Sequence, residues 1–585
     1  MSDPSNNNKL FWSYVKSKKK DNISNNFLKD DEGQLHNKPD IKGKIVNTQF
    51  ASVMSSQTDQ CPSTIRDKRA PDITRIDITV DGVQKLMANL DPHKAIGPDK
   101  IPPYLLKELA VQLAPVFTIL FQASLNQGKV PADWKKAYIT PIFKKGDPLK
   151  ASNYRPVFLT SIPCKLLEHI IHSHFMKHHD ANNILCNNQH GFRKFRSCET
   201  QLIATIDDLA RNNDVLYQTD MILLDFAKAF DKVNHQSLLK KVRHYGIRNN
   251  IFNWLESFLI GRTQQVQIDG TLSDPENVRS GVPQGTVLGP LLFLLYINDL
   301  PQYVSPGTEV RLFADDSALY RKIVTNDDHL RLQQDIKNLE LWEKEWSMEF
   351  HPHKCQLLRV TTKLNDNVSK FTYSIHDVDI EPTDNTKYLG ITINHKFSWN
   401  WNTHIDIITQ KANRTLNFIN RNFKTCTQQV KERLYNAYVR PSVEFGGCVW
   451  ATHTQENIDK IERVQKRAAR FVQSSYGRDQ SVTAMMRNME WTPLVERRAR
   501  AKVTSVFKAK KDLVDIPFED VPRQQSGLRS QSNFFVPFAK SNVYYHSYYP
   551  SAMRLWNALP LPIRQSSSLP EFERAIKGHT IITHY

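Results

Sequence analysis

A chain of 585 residues with 40% hydrophobic content is long enough to bury the cores of about three or four folded units, which excludes a single small domain. Lys and Arg number 78 against 60 Asp and Glu, and the resulting +18 points to a polyanionic partner, with nucleic acid ahead of a membrane surface. The seven cysteines stand singly, with no Cys-x-x-Cys pair to suggest structural zinc. The N-terminus lacks a charged-then-apolar signal pattern, and the longest apolar stretch, Val287 to Ile297, is shorter than the roughly 20 residues a bilayer requires. The expectation is a soluble intracellular protein without a membrane partner.

Residues 1 to about 75 are rich in Asn, Lys, Asp and Ser and read as a linker. Only Leu10 to Val15 has helix-like apolar content there, and Lys18, Lys19 and Lys20 form a basic run. Beyond Ile76, the Gly/Pro-punctuated loop Lys94 to Pro102 precedes Leu105, Leu106, Leu109, Leu113, Phe117 and Leu120, whose spacing predicts a core-facing helix. Ala137 to Phe143 reads as a strand, followed by the basic turn Lys144-Lys-Gly-Asp147 and Asn153-Tyr-Arg-Pro156. A hairpin there would carry Lys144 and Arg155 as phosphate grips, although the bare pattern also fits a solvated turn. The loop Asn188 to Ser197 interleaves aromatic and basic residues, which suits nucleic-acid contact or, equally, a buried aromatic with snorkelling arginines.

Met221 to Asp225 reads as a fully buried strand ending in a carboxylate, where Asp225 is either a site residue or the cap of the next helix. Arg279-Ser-Gly-Val-Pro-Gln-Gly285 leads into an apolar helix. Its Gly281 and Gly285 would allow a ligand close to the backbone, and Gln284 offers both donor and acceptor. Arg311 to Tyr320 is an apolar run broken by Asp315 and Asp316, read as a hairpin with both acids at its tip. Two adjacent carboxylates repel unless a cation lies between them, so a metal site and a plain solvated turn both fit. Asp231 and Asp299 read as structural. From Ile458 to Val472, apolar residues share a helix with Lys460, Arg463, Arg467 and Arg470, a basic stripe suited to a nucleic-acid backbone or to solvent.

Together, Leu224-Asp-Phe-Ala-Lys-Ala-Phe-Asp231, Ser280-Gly-Val-Pro-Gln-Gly285 and Phe313-Ala-Asp-Asp316 resemble the reverse transcriptase of non-LTR, jockey-like retrotransposons. Further similar segments are Lys94 to Asp99, Pro141 to Asp147, Gln189 to Arg193, Lys387 to Ile391 and Trp556 to Pro560, so the resemblance runs along nearly the whole chain. It implies an α+β right-hand polymerase with fingers, a palm built on an antiparallel sheet, a helical thumb and a C-terminal helical extension. The expected boundaries are a flexible segment over 1–75, an N-terminal helical extension over 76–123, fingers and palm over 124–394, thumb over 395–475 and the extension over 476–585.

The implied activity is RNA-directed DNA synthesis on an RNA template from a DNA primer and dNTPs. Two Mg²⁺ ions, or Mn²⁺ in their place, would sit on the catalytic carboxylates Asp225, Asp315 and Asp316. The same match puts Lys144 and Arg155 on the triphosphate, Phe226, Ala227 and Gln284 at the nucleotide, and Phe230 at the gate that excludes a ribose 2′-hydroxyl. Lys354 would face the leaving pyrophosphate. Phe158, Phe195, His351 and His353 depart from the family's usual residues. A catalytically decayed nucleic-acid-binding remnant is the alternative, and an RNA-dependent RNA polymerase, which shares the paired-acid hairpin, is opposed by Phe230. The resemblance also implies a copy that begins after its endonuclease and acts in the nucleus. The cognate RNA and the oligomeric state are not legible in the sequence.

Overall fold

The computed structural model describes residues 27–55, 65–66, 69–73, 75–361, 371–396, 401–477, 479–516 and 533–581. The Leu10 to Val15 run and Lys18 to Lys20 lie outside the described residues. Helix and sheet are mixed. The chain forms two compact units: residues Met1–Cys186, Phe226–Gln302 and Leu341–Glu349 make one, and Asn187–Asp225, Tyr303–Glu340 and Phe350–Tyr585 make the other. No helix among the described residues is long and apolar enough to cross a membrane.

The first unit is built on a mixed sheet. Strand Lys136–Phe143 pairs antiparallel with Tyr154–Leu159 on one side and parallel with Arg262–Ile268 on the other. In Arg262–Ile268 every second side chain is buried, the pattern of a sheet with one covered face. The cover corrects the reading of 1–75 as a linker. Helix Pro39–Ser52 seats Val46 and Phe50 on this sheet with Ile139, Val266 and Ile268. Its buried face also carries Lys42 and Asn47, and the Asn47 amide donates to Ser273 Oγ at 3.0 Å. A buried stripe that includes polar residues does not register as hydrophobic periodicity, which is why the helix reads as linker.

The leucine-rich stretch after Pro102 is a second correction. It forms two helices, Pro103–Glu108 and Ala110–Gln127, and Leu105, Leu109 and Leu120 are exposed. The buried positions are Leu106, Ala110, Ala114, Phe121 and Leu125. The small alanines let neighbouring helices approach closely, so the inward face lies about one residue, or 100°, around the helix from the bulkiest stripe. Helix Leu288–Ile297 is buried on all sides, as its continuous apolar sequence predicts.

The second unit holds a four-stranded, wholly antiparallel sheet in the order Gln356–Val360, Gln218–Asp225, Asp316–Ile323, Thr308–Phe313. The remainder of the unit is mainly helical, with Asn402–Asn422, Gln455–Gln473 and Leu494–Lys510 the longest helices after residue 400. The basic stripe on Gln455–Gln473 is partly engaged by a neighbouring helix. Lys460 Nζ reaches Asp406 at 3.2 Å and Arg467 Nη2 reaches Asn417 at 3.0 Å, both on Asn402–Asn422. Pro441 has no N–H to give its helix. The backbone before it widens into a π-turn over Tyr435–Val439, which absorbs the defect.

Candidate active site

Asp225 ends the 218–225 strand, and Asp316, the first residue of its neighbour, stands directly opposite it in the ladder. Asp315 lies in the two-residue turn that joins Phe313 to Asp316. The three acids named from the sequence therefore share one end of one sheet. Opposed like charges destabilise a ladder pair. Lys354 partly answers this, with Nζ 3.1 Å from Asp225 Oδ2. The short 3₁₀ turn Pro352–Lys354 presents it, and His351 N–H anchors that turn by donating to the Asp225 carbonyl at 2.7 Å.

Residue Ala314 holds the turn at φ +54°, a left-handed conformation that side chains with a Cβ adopt at a cost. Gln189, to which the sequence assigns a mixed basic and aromatic loop and a family-like segment but no role of its own, supports it. Its buried Oε1 accepts from Ala314 N–H at 2.9 Å and from Gly191 N–H at 2.7 Å. The loop also pairs with the edge strand: His190 N–H donates to the Leu312 carbonyl and Leu312 N–H to the Asn188 carbonyl, each at 2.9 Å. A Cβ on Gly191 would stand 2.4 Å from Ala314 N, so only glycine fits between loop and turn.

The two alternatives for this loop divide by residue. Phe192 and Phe195 are exposed, whereas Arg196 is pinned by Asp515 and by the Asn187 and Gln189 carbonyls. Burial, with Arg196, Arg311 and Arg193 nearby, pushes the His190 imidazole down to about 3, so it is neutral as it pairs with Thr200 Oγ1. Gln-His-Gly before a helix cap was the sequence signal available for this support. Its meaning depends on a turn more than a hundred residues away.

The remaining candidates belong to the first unit, apart from Lys354. In the Lys136–Phe143/Tyr154–Leu159 hairpin, Ile142 pairs with Arg155, and Lys144 N–H donates to the Asn153 carbonyl. Side chains two apart share a face, so Lys144 and Arg155 both lie on the exposed side of the hairpin. Tyr154 anchors the other side against Phe143. Phe226 is buried against Trp342, which leaves only its backbone for a nucleotide. Ala227 N–H is taken by the Glu349 carbonyl at 2.8 Å.

Phe230 is half-buried and stacks on Phe293 with ring centres 4.4 Å apart. Gln284 donates through Nε2 to Asp231 Oδ1 at 2.9 Å, so Asp231 orients the amide that the sequence assigns to the nucleotide. Burial pushes the Asp231 carboxyl up, against the pull of Lys228 and Gln284. The glycines of this loop admit backbone rather than ligand: a Cβ on Gly281 would meet the Phe230 carbonyl at 2.7 Å, and one on Gly285 the Phe158 carbonyl at 2.8 Å. Asp299 forms a fully buried ion pair with Lys241 at 2.6 Å and accepts from Trp342 Nε1, a structural position.

Three carboxylates are hard oxygen donors, the chemistry that Mg²⁺ selects. Among the described residues, however, no group of three or more His, Cys, Asp and Glu side chains is arranged to hold a metal ion. The three acids share one end of the sheet, and their side chains as they stand do not form a metal-holding cluster. One oxygen of the Asp225 carboxylate, Oδ2, faces the Lys354 ammonium.

A family profile described as reverse transcriptase (RNA-dependent DNA polymerase) matches residues 142–393, a span that includes all three acids. The probable RNA-directed DNA polymerase from transposon BS of Drosophila melanogaster is 27% identical over 452 residues, covering 73% of this chain and 48% of that protein. Its counterpart from transposon X-element of the same fly is 27% identical over 67% of this chain and 43% of its own length. The RNA-directed DNA polymerase from the Drosophila melanogaster mobile element jockey is 27% identical over 68% of this chain and 44% of its own. The matched part is therefore less than half the length of each of these relatives.

Proposed function

We propose that this chain, which carries a reverse transcriptase domain of the non-LTR retrotransposon kind, adds dNTPs to a DNA primer 3′-hydroxyl on an RNA template. The observation that carries the reading is the meeting of Asp225 and Asp316 in direct register, with Asp315 in the adjoining turn. The fold that follows is a right hand, with the four-stranded antiparallel sheet as palm and the helices after residue 400 as thumb.

Asp225, Asp315 and Asp316 would hold two Mg²⁺ ions, which when bound stabilise the charge on the attacking and leaving oxygens. Lys144 and Arg155 bind the triphosphate from the exposed face of their hairpin, and Arg155 suits two phosphate oxygens at once. Gln284, fixed by Asp231, borders the base, and Phe230 fills the space a 2′-hydroxyl would take. The Lys354 ammonium neutralises Asp225 in the resting protein and donates a proton to the departing pyrophosphate.

Purified protein incubated with an RNA template, an annealed DNA primer, dNTPs and Mg²⁺ should extend the primer. Asp315→Ala should lower the rate by on the order of 10³-fold while template-primer binding persists. Wild-type protein that binds template-primer but adds no nucleotide, beside an active control polymerase, would mean a nucleic-acid-binding remnant. In the same assay Phe230→Ala should raise rNTP incorporation relative to dNTP, and an unchanged ratio removes Phe230 from the gate.

A further inference from the structure

The second unit contains a cavity of about 720 Å³ between the Leu494–Lys510 helix, the 195–200 segment and the Leu569–Lys577 helix. Arg498 lines it and is 3% exposed, yet neither of its terminal guanidinium nitrogens has a hydrogen-bond partner. Its guanidinium lies 5.6 Å from the Trp450 ring. The two terminal nitrogens carry four of the guanidinium's five donors, and leaving them unmet is costly unless an anion supplies the acceptors. Burial alone drives Arg498 down to about 10, although Glu462 and Glu444 pull the other way.

The wall adds more cations than acids. Arg497 is committed to Glu444 and Arg500 to Glu496, while Lys508 and Lys577 also line the space, against Glu199 and Glu573. At the edge stands Phe195, nearly half exposed at 46%, its ring under the Lys194 ammonium at 4.5 Å. The Asp515 N–H donates to the Phe195 carbonyl at 2.8 Å, fixing this residue to the 513–516 segment, which also lines the cavity. A buried arginine and an exposed aromatic lining one cavity provide the two contacts a single strand offers, a phosphate and a base face. Moreover, the loop that ends at Phe195 and Arg196 begins at Asn188 and Gln189, on the turn that holds Asp315. One loop thus links cavity and carboxylates within one unit.

We propose that this cavity binds a phosphodiester of a single nucleic-acid strand, with Arg498 as the buried anion partner and Phe195 as the stacking platform for an adjacent base. Only the identity of that strand as the template rests on the polymerase reading.

The test measures binding of a fluorescein-labelled single-stranded oligouridylate of about fifteen nucleotides to the whole chain, without dNTP or divalent metal. Arg498→Met keeps the volume and removes the donors, and it and Phe195→Ala should each weaken binding about tenfold. Lys508→Gln should flatten the salt dependence by about one phosphate contact. If Arg498→Met does not fold, the two rim variants decide alone. Wild-type affinity in every folded variant overturns the proposal. So does displacement of the strand by inorganic phosphate as effective as displacement by unlabelled oligonucleotide at equal phosphate concentration, which would mean a free-anion site. An inactive polymerase that loses strand binding in these variants leaves this inference standing, and an active one with unaltered binding sinks it alone.

Discussion

At Gln189 a single side-chain oxygen accepts two backbone N–H groups, one from Gly191 and one from the turn residue Ala314. Both donors are buried, so Gln189→Ala leaves them without a partner, at a cost of about 1–3 kcal/mol for each. The expected outcome is a lower denaturant midpoint together with slower primer extension, because the strained Ala314 loses what holds Asp315 in place. Full activity in a destabilised Gln189→Ala protein would separate the two roles and remove Gln189 from the site. Lys354 is different in kind. More than half exposed and paired to a carboxylate nearly as exposed, it shapes charge at the site and adds little stability.

Among the elements, the Pro39–Ser52 helix shows how a segment of linker-like composition becomes structure. Val46 and Phe50 are its main apolar contribution to the core with Ile139, Val266 and Ile268, and the rest of its buried face is polar. Phe50→Ala should therefore lower stability by about 3–5 kcal/mol, read as a shifted unfolding midpoint. A change under half a kcal/mol would show that the helix only rests on the sheet. The Asn188–Ser197 loop behaves as a fifth, very short strand beside Thr308–Phe313 and turns its aromatics outward. Part of its backbone and its Gln189, His190 and Arg196 side chains are committed to the protein, while the Phe192 and Phe195 rings are exposed, a division its alternating residue types do not announce.

The molecule as a whole carries +18, and its partner should feel that charge before any particular contact. Binding of an RNA template annealed to a DNA primer should weaken steeply with salt. The logarithm of affinity should fall by about 0.7 to 0.9 per logarithm of NaCl for each phosphate engaged. Fluorescence anisotropy between low and physiological salt measures the slope, and a flat line would contradict a polyanion as the principal partner. Asp225, Asp315, Asp316 and Lys354 belong to one unit, and Lys144, Arg155, Phe230 and Gln284 to the other.

What the sequence determined by itself was whatever depends on short-range pattern. Unbroken apolar runs marked the Met221–Asp225 part of the buried 218–225 strand and the all-round buried Leu288–Ile297 helix, and turn formers between apolar stretches marked the Asp315–Asp316 hairpin. Motif order then connected three acids that lie far apart along the chain. The tertiary structure decided matters that depend on which surface meets which. It buried the alanine side of the Ala110–Gln127 helix rather than its leucine stripe, filled the space beside Gly281 and Gly285 with backbone, and turned the basic stripe of Gln455–Gln473 partly onto a neighbouring helix. It also set Gln189 under the Ala314–Asp315 turn and buried the terminal nitrogens of Arg498 without a hydrogen bond. The physical reason is common to all of these. Periodicity records how apolar a face is, whereas burial depends on how closely another surface can approach it, and that approach is fixed by residues distant in the chain.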